Sequence, residues 1–154
     1  MTTYTFLASS KEFQLSDEIV PDNDVRIFYE PNESFGVRAL DDAEQSYTQI
    51  LRPILTLPYM YIVSGVGDDG FFLYLDKTME VGDVLEIVTI HSINHIENSV
   101  AKMMRDPQTI TINVGSLTYK NAYGEFQLHP KNWIDDLRHR TIVSEYVVTT
   151  IVKY

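Results

Sequence analysis

The sequence predicts an α+β fold, in which a mostly antiparallel sheet of about eight strands is accompanied by three short helices. Tyr and Phe are plentiful, at 10 and 7 residues, and aromatic side chains suit the pleated surface of a sheet. Several strand-like runs are separated by connections of hairpin length, whereas a parallel crossover requires about a dozen residues or more. Three stretches carry the apolar periodicity of an amphipathic helix.

Length and composition predict a single globular domain over residues 1–154. The chain is 44% hydrophobic and 22% charged, close to the average of soluble globular domains and long enough to bury a core. It contains no Cys, which excludes disulfides, thiolate metal ligands and cysteine nucleophiles and suits a reducing cytoplasm.

The first elements are a strand and a hairpin. A strand at 3–8 is followed by a polar segment without periodicity at 10–24, which we expect to form an exposed loop. The runs 25–30 and 35–40 alternate between apolar and polar residues and flank the turn-forming sequence "PNES". Pro and Asn favour a turn, so these two runs predict a hairpin.

Sequence signals bound the first helix on both sides. Asp41 and Glu44 have the spacing of a capping box, in which each side chain accepts a hydrogen bond from the other residue's amide. Apolar residues then recur at helical spacing up to Leu51. Pro53 disfavours helical geometry at the residue before it, which sets the expected end.

The second and third helices carry similar signals. Asn94 and Glu97 suggest a cap, and Asp106 followed by Pro107 ends the helix. We expect the pair Met103–Met104 to pack against the sheet, as methionines in cores do. The third helix is expected within 130–140, with Pro130 at its first position and basic residues at its end, where they complement the helix dipole.

The remaining strands follow from β-branched and aromatic runs. The segments 59–65 and 70–76 are predicted to be two strands joined by a glycine-rich turn. The segment 84–93 contains a nearly continuous apolar run, which predicts a central strand. Further strands are expected at 109–114, 116–121, 124–129 and 141–154. The last one is long and apolar, so a homodimer is a candidate if it lies uncovered at a sheet edge.

The stretch "SGVGDDGF" at 64–71 has the G-x-G-x-x-G spacing of a dinucleotide-binding loop. In such a loop the third glycine opens a helix, whose N-terminal amides hold the pyrophosphate. Here Gly70 precedes "FFLYLD", which favours a strand, and Asp68 and Asp69 would repel a phosphate. Glu86 has the spacing of a ribose-binding acid but lies on a predicted strand. We therefore interpret the glycines as a hairpin turn that binds no cofactor.

Metal sites and hydrolytic motifs are not indicated either. Asp68 and Asp69 lack the alternate acidic positions of an EF-hand loop. His91 and His95 are four residues apart, as in a helical zinc motif, but His91 belongs to the preceding strand and the glutamate of that motif is replaced by Ser92. No G-x-S-x-G elbow is present, although a catalytic set assembled only in space remains an alternative.

The net charge is −10, and it is concentrated at the start of the chain. Residues 1–50 hold ten acidic side chains against Lys11, Arg26 and Arg38, a net of −7. Such a field repels phosphate backbones and disfavours a nucleic-acid partner. The expected docking face for a basic protein partner comprises the acidic residues Asp17, Glu18, Asp22 and Asp24. No run approaches the roughly 18 apolar residues of a membrane helix, and the N-terminus resembles no signal peptide, which predicts a cytoplasmic protein.

The opening run "YTFLASSKEF" at 4–13 resembles the start of small, acidic, uncharacterised proteins of Gram-positive bacteria. The resemblance implies a bacterial cytoplasmic protein, and it transfers no functional residue.

Two functional hypotheses follow. The first is a non-enzymatic protein-binding domain, for example an inhibitor or immunity protein against a basic nuclease, because complementary charge speeds association. The alternative is a small-molecule-binding protein or an enzyme, with a pocket under the aromatic runs 59–63 and 71–75.

Overall fold

The computed structural model describes residues 3–13, 25–27 and 35–154, and for 25–27 it describes the backbone alone. The strands of this part of the chain are β1 (Tyr4–Ser9), β2 (Val25–Ile27), β3 (Gly36–Ala39), β4 (Tyr59–Ser64), β5 (Val84–Ile90), β6 (Gln108–Asn113), β7 (Thr118–Asn121), β8 (Gly124–Gln127) and β9 (Val147–Val152). The α-helices are α1 (Gln45–Leu51), α2 (Asp69–Lys77), α3 (Ile96–Arg105) and α4 (Trp133–Arg138).

The described strands form one nine-stranded sheet in the order β2-β3-β4-β1-β5-β9-β6-β7-β8. All neighbouring pairs are antiparallel except β6 and β9. The predicted α+β class is therefore confirmed, as are the pairing of β2 with β3 and the central position of β5. The edges of the sheet are formed by β2 and β8.

Helices cover both faces of the central strands. Successive side chains of a strand point to opposite faces, so the apolar residues of these strands contribute to a core on each side of the sheet. On one face Leu7, Leu85 and Ile87 join a core cluster that includes α2 and the buried Leu137 of α4. On the other face Phe6 and Val88 pack against residues of α1 and α3. The fold is thus layered, with the sheet in the middle.

The turn before α1 has the reciprocal hydrogen bonds of the predicted capping box, although the N-cap of the helix is Glu44. The Glu44 amide donates to the Asp41 carboxylate at 2.9 Å, and the Asp41 amide donates to the Glu44 carboxylate at 3.0 Å. Arg38 of β3 also donates to both Glu44 oxygens, at 2.7 and 2.8 Å. Glu44 therefore connects the end of β3 to the beginning of α1.

The predicted strand at 70–76 is wrong, because this segment is the helix α2. The amides of Phe71 and Phe72 donate to the Asp68 carbonyl, which begins the helix. Phe71, Phe72 and Leu75 share one helical face and are buried against the sheet. Burial of this face overrides the β-propensity of the aromatic residues, since such propensities are weak compared with tertiary packing.

The sequence β4-α2-β5 is consequently a crossover and not a hairpin. Both β4 and β5 pair antiparallel with β1, which lies between them, so they run parallel to each other. This arrangement is a split βαβ unit, with α2 on one face of the sheet. The glycine-rich stretch is the connection from β4 to α2.

The last strand lies inside the sheet. β9 pairs antiparallel with β5 and parallel with β6, so it does not form the uncovered sheet edge on which the homodimer expectation depends. The predicted helix at 130–140 begins only at Trp133, and Pro130 precedes it in a turn. No helix among the described residues has the length and apolar character needed to cross a membrane.

Candidate functional site

A cavity of about 440 Å³ lies between one face of α3 and the segment that leads into β9. α3 lines it with Asn98, Ser99, Lys102 and Arg105. The segment between β5 and α3 contributes further polar side chains, namely His91, Ser92 and His95, and Thr89, Glu145 and Tyr146 complete the lining. We call this space the α3 cavity.

The amphipathic pattern of α3 places these side chains at the cavity. Ile96, Val100 and Met103 form the buried face of the helix. Positions 98 and 99 precede position 102 by four and three residues, and position 105 follows it by three, so these side chains lie on a different face of the helix. Asn94 is not the N-cap, because a short 3-10 helix at Ile93–His95 precedes α3. The predicted end at Asp106 is confirmed.

Tyr146 forms the opposite wall of the α3 cavity. Its φ of 62° lies in the left-handed region, which is uncommon for an aromatic residue. The Lys102 Nζ lies 4.0 Å from the centre of its ring, a cation–π contact. A hydrogen bond with the Glu145 side chain raises the pKa of Tyr146. The ring and its neighbouring carboxylate are therefore held beside the cationic part of α3.

Most cations elsewhere in the described residues already have partners. Lys11, Arg38, Lys77, Arg138 and Arg140 form ion pairs with carboxylates, and Arg52 and Lys153 donate to backbone carbonyls. Within that same part of the chain, Lys102 and Arg105 have no carboxylate within 4.0 Å. Two cations in one cavity thus lack an anionic partner.

A second cavity, of about 410 Å³, lies between the end of α1 and the C-terminal end of α3. Ile54, Met103 and Val148 give it an apolar lining. The expectation that both methionines pack on the sheet is wrong for Met104, which is 57% exposed at this cavity, although Met103 is buried.

Glu86 lines the second cavity, but it already has protein partners. Its carboxylate accepts hydrogen bonds from the amides of Thr56 and Leu57, at 2.8 and 2.9 Å. It therefore holds the loop after α1 against β5.

Most aromatic side chains of the runs 59–63 and 71–75, under which a pocket is expected, belong to the core. Tyr61, Phe71, Phe72 and Tyr74 are buried, and none of them lines either cavity. The Tyr61 hydroxyl accepts a hydrogen bond from the Phe13 amide at 2.8 Å. Burial raises the pKa of Tyr74. These side chains stabilise the packing of α2 on the sheet.

The glycine-rich connection has the strand–loop–helix form of a dinucleotide site, contrary to expectation. Gly65 and Gly67 have φ of 78° and 94°, and α2 begins directly afterwards. Negative charge nevertheless already stands at the helix N-terminus, where Asp68 is the N-cap and Asp69 pairs with Arg138. These carboxylates satisfy the helix dipole and oppose a phosphate there.

The two histidines considered as metal ligands come together at the α3 cavity. His91 follows β5 and His95 precedes α3, so the prediction that they do not share a helical face is confirmed. Over the described ranges, no group of three or more His, Cys, Asp or Glu side chains is arranged to hold a metal ion.

The acidic docking face predicted at Asp17, Glu18, Asp22 and Asp24 lies outside the described residues. No protein-family model, curated protein or solved structure matches the chain.

Proposed function

We propose that this protein is a ligand-binding domain and that the α3 cavity is its binding site. The observation that supports the proposal is the size and lining of this cavity. Its volume of about 440 Å³ falls in the range of roughly 300–1,000 Å³ that is typical of small-molecule sites. Convergent polar side chains from α3, the segment before it and the segment before β9 supply orientation-dependent hydrogen bonds.

Binding fits this site better than catalysis does. His91, His95, Lys102 and Arg105 are all exposed to solvent, whereas proton-transfer catalysis gains from a site that excludes water. An open groove along a helix can still bind a ligand, because exposed hydrogen-bond donors need only exchange water for ligand oxygens.

The test compares two tryptophan substitutions on α3. Ser99 is half-buried and lines the cavity, whereas Ala101 is exposed on the same helix and lines neither cavity. Thermal shifts are measured with D-ribose, adenosine, L-glutamine, malonate and inorganic phosphate. We expect at least one probe to stabilise the wild type and the control Ala101→Trp, but not Ser99→Trp. The absence of any stabilisation, or equal responses of the two variants, would refute the proposal.

A second candidate function is docking on a basic protein through the acidic N-terminal third, and a specific observation favours it. Residues 1–50 carry ten acids against three bases, and exposed Glu12, Asp41 and Asp42 extend this charge into the described residues. In this proposal the protein acts as an inhibitor or immunity protein of a basic enzyme such as a nuclease.

Its test is a pull-down from host lysate at low and moderate salt, repeated with a variant that neutralises the acidic docking face. The changes are Asp17→Asn, Glu18→Gln, Asp22→Asn and Asp24→Asn. The proposal is supported if a basic partner is captured, and if less of it is captured at higher salt and by the neutralised variant. The activity of this partner must also decrease when it binds the protein. Capture that is unaffected by these substitutions contradicts the docking proposal.

A further inference from the structure

We propose that the ligand of the α3 cavity is a small organic anion, and that Lys102 and Arg105 recognise its carboxylate or phosphate groups. The inference rests on the ligand-binding function proposed above and adds the chemical class of the ligand. Three observations carry it: the local charge of the cavity, the unpaired state of its cations, and their arrangement on the helix.

The charge of the α3 cavity is opposite in sign to that of the chain. Lys102 and Arg105 stand against one carboxylate, Glu145, while the whole protein carries −10. In an acidic protein, two cations on one wall of a cavity create a local positive field. Screening confines exposed charges to about 8 Å at physiological ionic strength, so these two cations act mainly on groups inside or next to the cavity.

Lys102 and Arg105 have no ion pair among the described residues that an anion would have to break. Like charges three residues apart on a helix face destabilise it slightly. The helix dipole favours cations in the last turn, but cations at the exposed positions 101 and 104 would serve it equally well. Both cations instead line the cavity, and among the described residues no carboxylate lies within 4.0 Å of either one. An anionic ligand supplies the missing partner.

The arrangement of the side chains suits oxygen-rich anions. Lys102 and Arg105 are one helical turn apart, about 4.5 Å along the axis. The guanidinium presents a planar fork that matches two oxygens of a carboxylate or phosphate, and the ammonium adds a compact point charge. Asn98 and Ser99 lie one turn earlier on the same face and provide neutral hydrogen-bond donors.

The anion must be small. A nucleic acid or an anionic membrane would also meet the rest of the acidic surface, and the charge of −10 repels such polyanions. A free metabolite enters the cavity alone and is affected mainly by Lys102 and Arg105.

The experiment measures dissociation constants by calorimetry at constant ionic strength. The anionic probes are inorganic phosphate and malonate, which distinguish phosphate from carboxylate recognition, and the neutral probes are D-ribose and adenosine. The variants are Lys102→Gln and Arg105→Gln. Lys120→Gln is the matched control, because Lys120 is exposed on β7 and lies outside both cavities.

We expect phosphate or malonate to bind the wild type, and each cavity substitution to weaken that binding about tenfold, as the loss of one charge-assisted hydrogen bond predicts. The dissociation constant of the control Lys120→Gln should stay within about twofold of the wild-type value, because exposed charges outside a site contribute little. Equal weakening by Lys120→Gln, or no anion binding, overturns the inference. If only a neutral probe binds and Ser99→Trp blocks it, the proposed function stands while the anion inference fails. If no probe binds, both fail.

Discussion

The ion pair between Arg38 and Glu44 provides a stability test whose size and pH dependence both follow from the structure. The Glu44 side chain is 9% exposed, and its carboxylate receives two hydrogen bonds from Arg38 and one from the Asp41 amide. The hydrogen bonds from Arg38 hold the pKa of Glu44 below its ordinary value, and partial burial opposes that shift. Replacing Arg38 with Met keeps the apolar stem and removes both charge-assisted donors.

Arg38→Met leaves a carboxylate buried with one amide donor. Removing one partner of a fully buried pair costs about 3–5 kcal/mol. The Arg38 side chain is 24% exposed, so water can reach part of the site, and we expect a loss of about 2–3 kcal/mol at neutral pH. Glu44→Gln keeps an oxygen acceptor and should cost only about 1 kcal/mol. The double variant Arg38→Met, Glu44→Gln should lose less stability than the sum of the two single losses, because it leaves no buried carboxylate without its partner.

Urea denaturation between pH 7 and pH 3 measures these differences. A carboxylate whose pKa is lowered by folding stabilises the protein above its unfolded pKa, about 4.3 for Glu, and loses that contribution as the pH falls through the folded pKa. The difference in free energy of unfolding between the wild type and Arg38→Met should therefore become smaller as the pH falls. A loss below about 0.5 kcal/mol at pH 7, the scale of an ordinary surface change, would contradict this assignment, as would a gap independent of pH.

Three further substitutions test the packing by urea denaturation. Phe71→Ala should lower the free energy of unfolding by about 3–5 kcal/mol, because Phe71 is fully buried beside Phe35. A decrease below about 1 kcal/mol, typical of average positions, would contradict the burial of this face of α2. Gly82→Ala should cost about 1–2 kcal/mol, since its φ of +96° disfavours a side chain, and the neighbouring exposed Val81→Ala serves as control. Thr149→Val should cost about 1–2 kcal/mol because it removes the buried hydrogen bond to the Ile142 carbonyl; unchanged stability would show that this bond contributes nothing.

Local signals in the sequence predict those parts of the fold that depend on one element at a time. The reciprocal hydrogen bonds of Asp41 and Glu44 form in the turn that leads into α1, and the apolar run of β5 agrees with its central place in the sheet. The sequence does not predict α2, because the β-propensity of its aromatic residues favours a strand, although two features indicate a helix. Asp68 and Asp69 at its start and Lys77 at its end complement a helix dipole.

The candidate site could not be located in the sequence, because its walls are distant along the chain. Lys102 contacts the Tyr146 ring, and Arg105 lines the same cavity, only after α3 packs beside the segment that leads into β9. The spacing of His91 and His95 is that of metal ligands, whereas in the structure both side chains line the α3 cavity. The sequence shows the polar face at 98, 99, 102 and 105, but such a pattern is typical of any solvent-exposed helix face. Only the structure places Glu145 and Tyr146 opposite it.

The most direct test of the central claim is an NMR titration of the ¹⁵N-labelled protein with inorganic phosphate and with malonate. Amide resonances report which residues respond to the ligand. We predict saturable shifts at residues 98–105 and at Glu145 and Tyr146, lost in the Lys102→Gln, Arg105→Gln double variant. Shifts centred on the glycine-rich connection at 65–69, or shifts that follow ionic strength without saturation, would contradict the account.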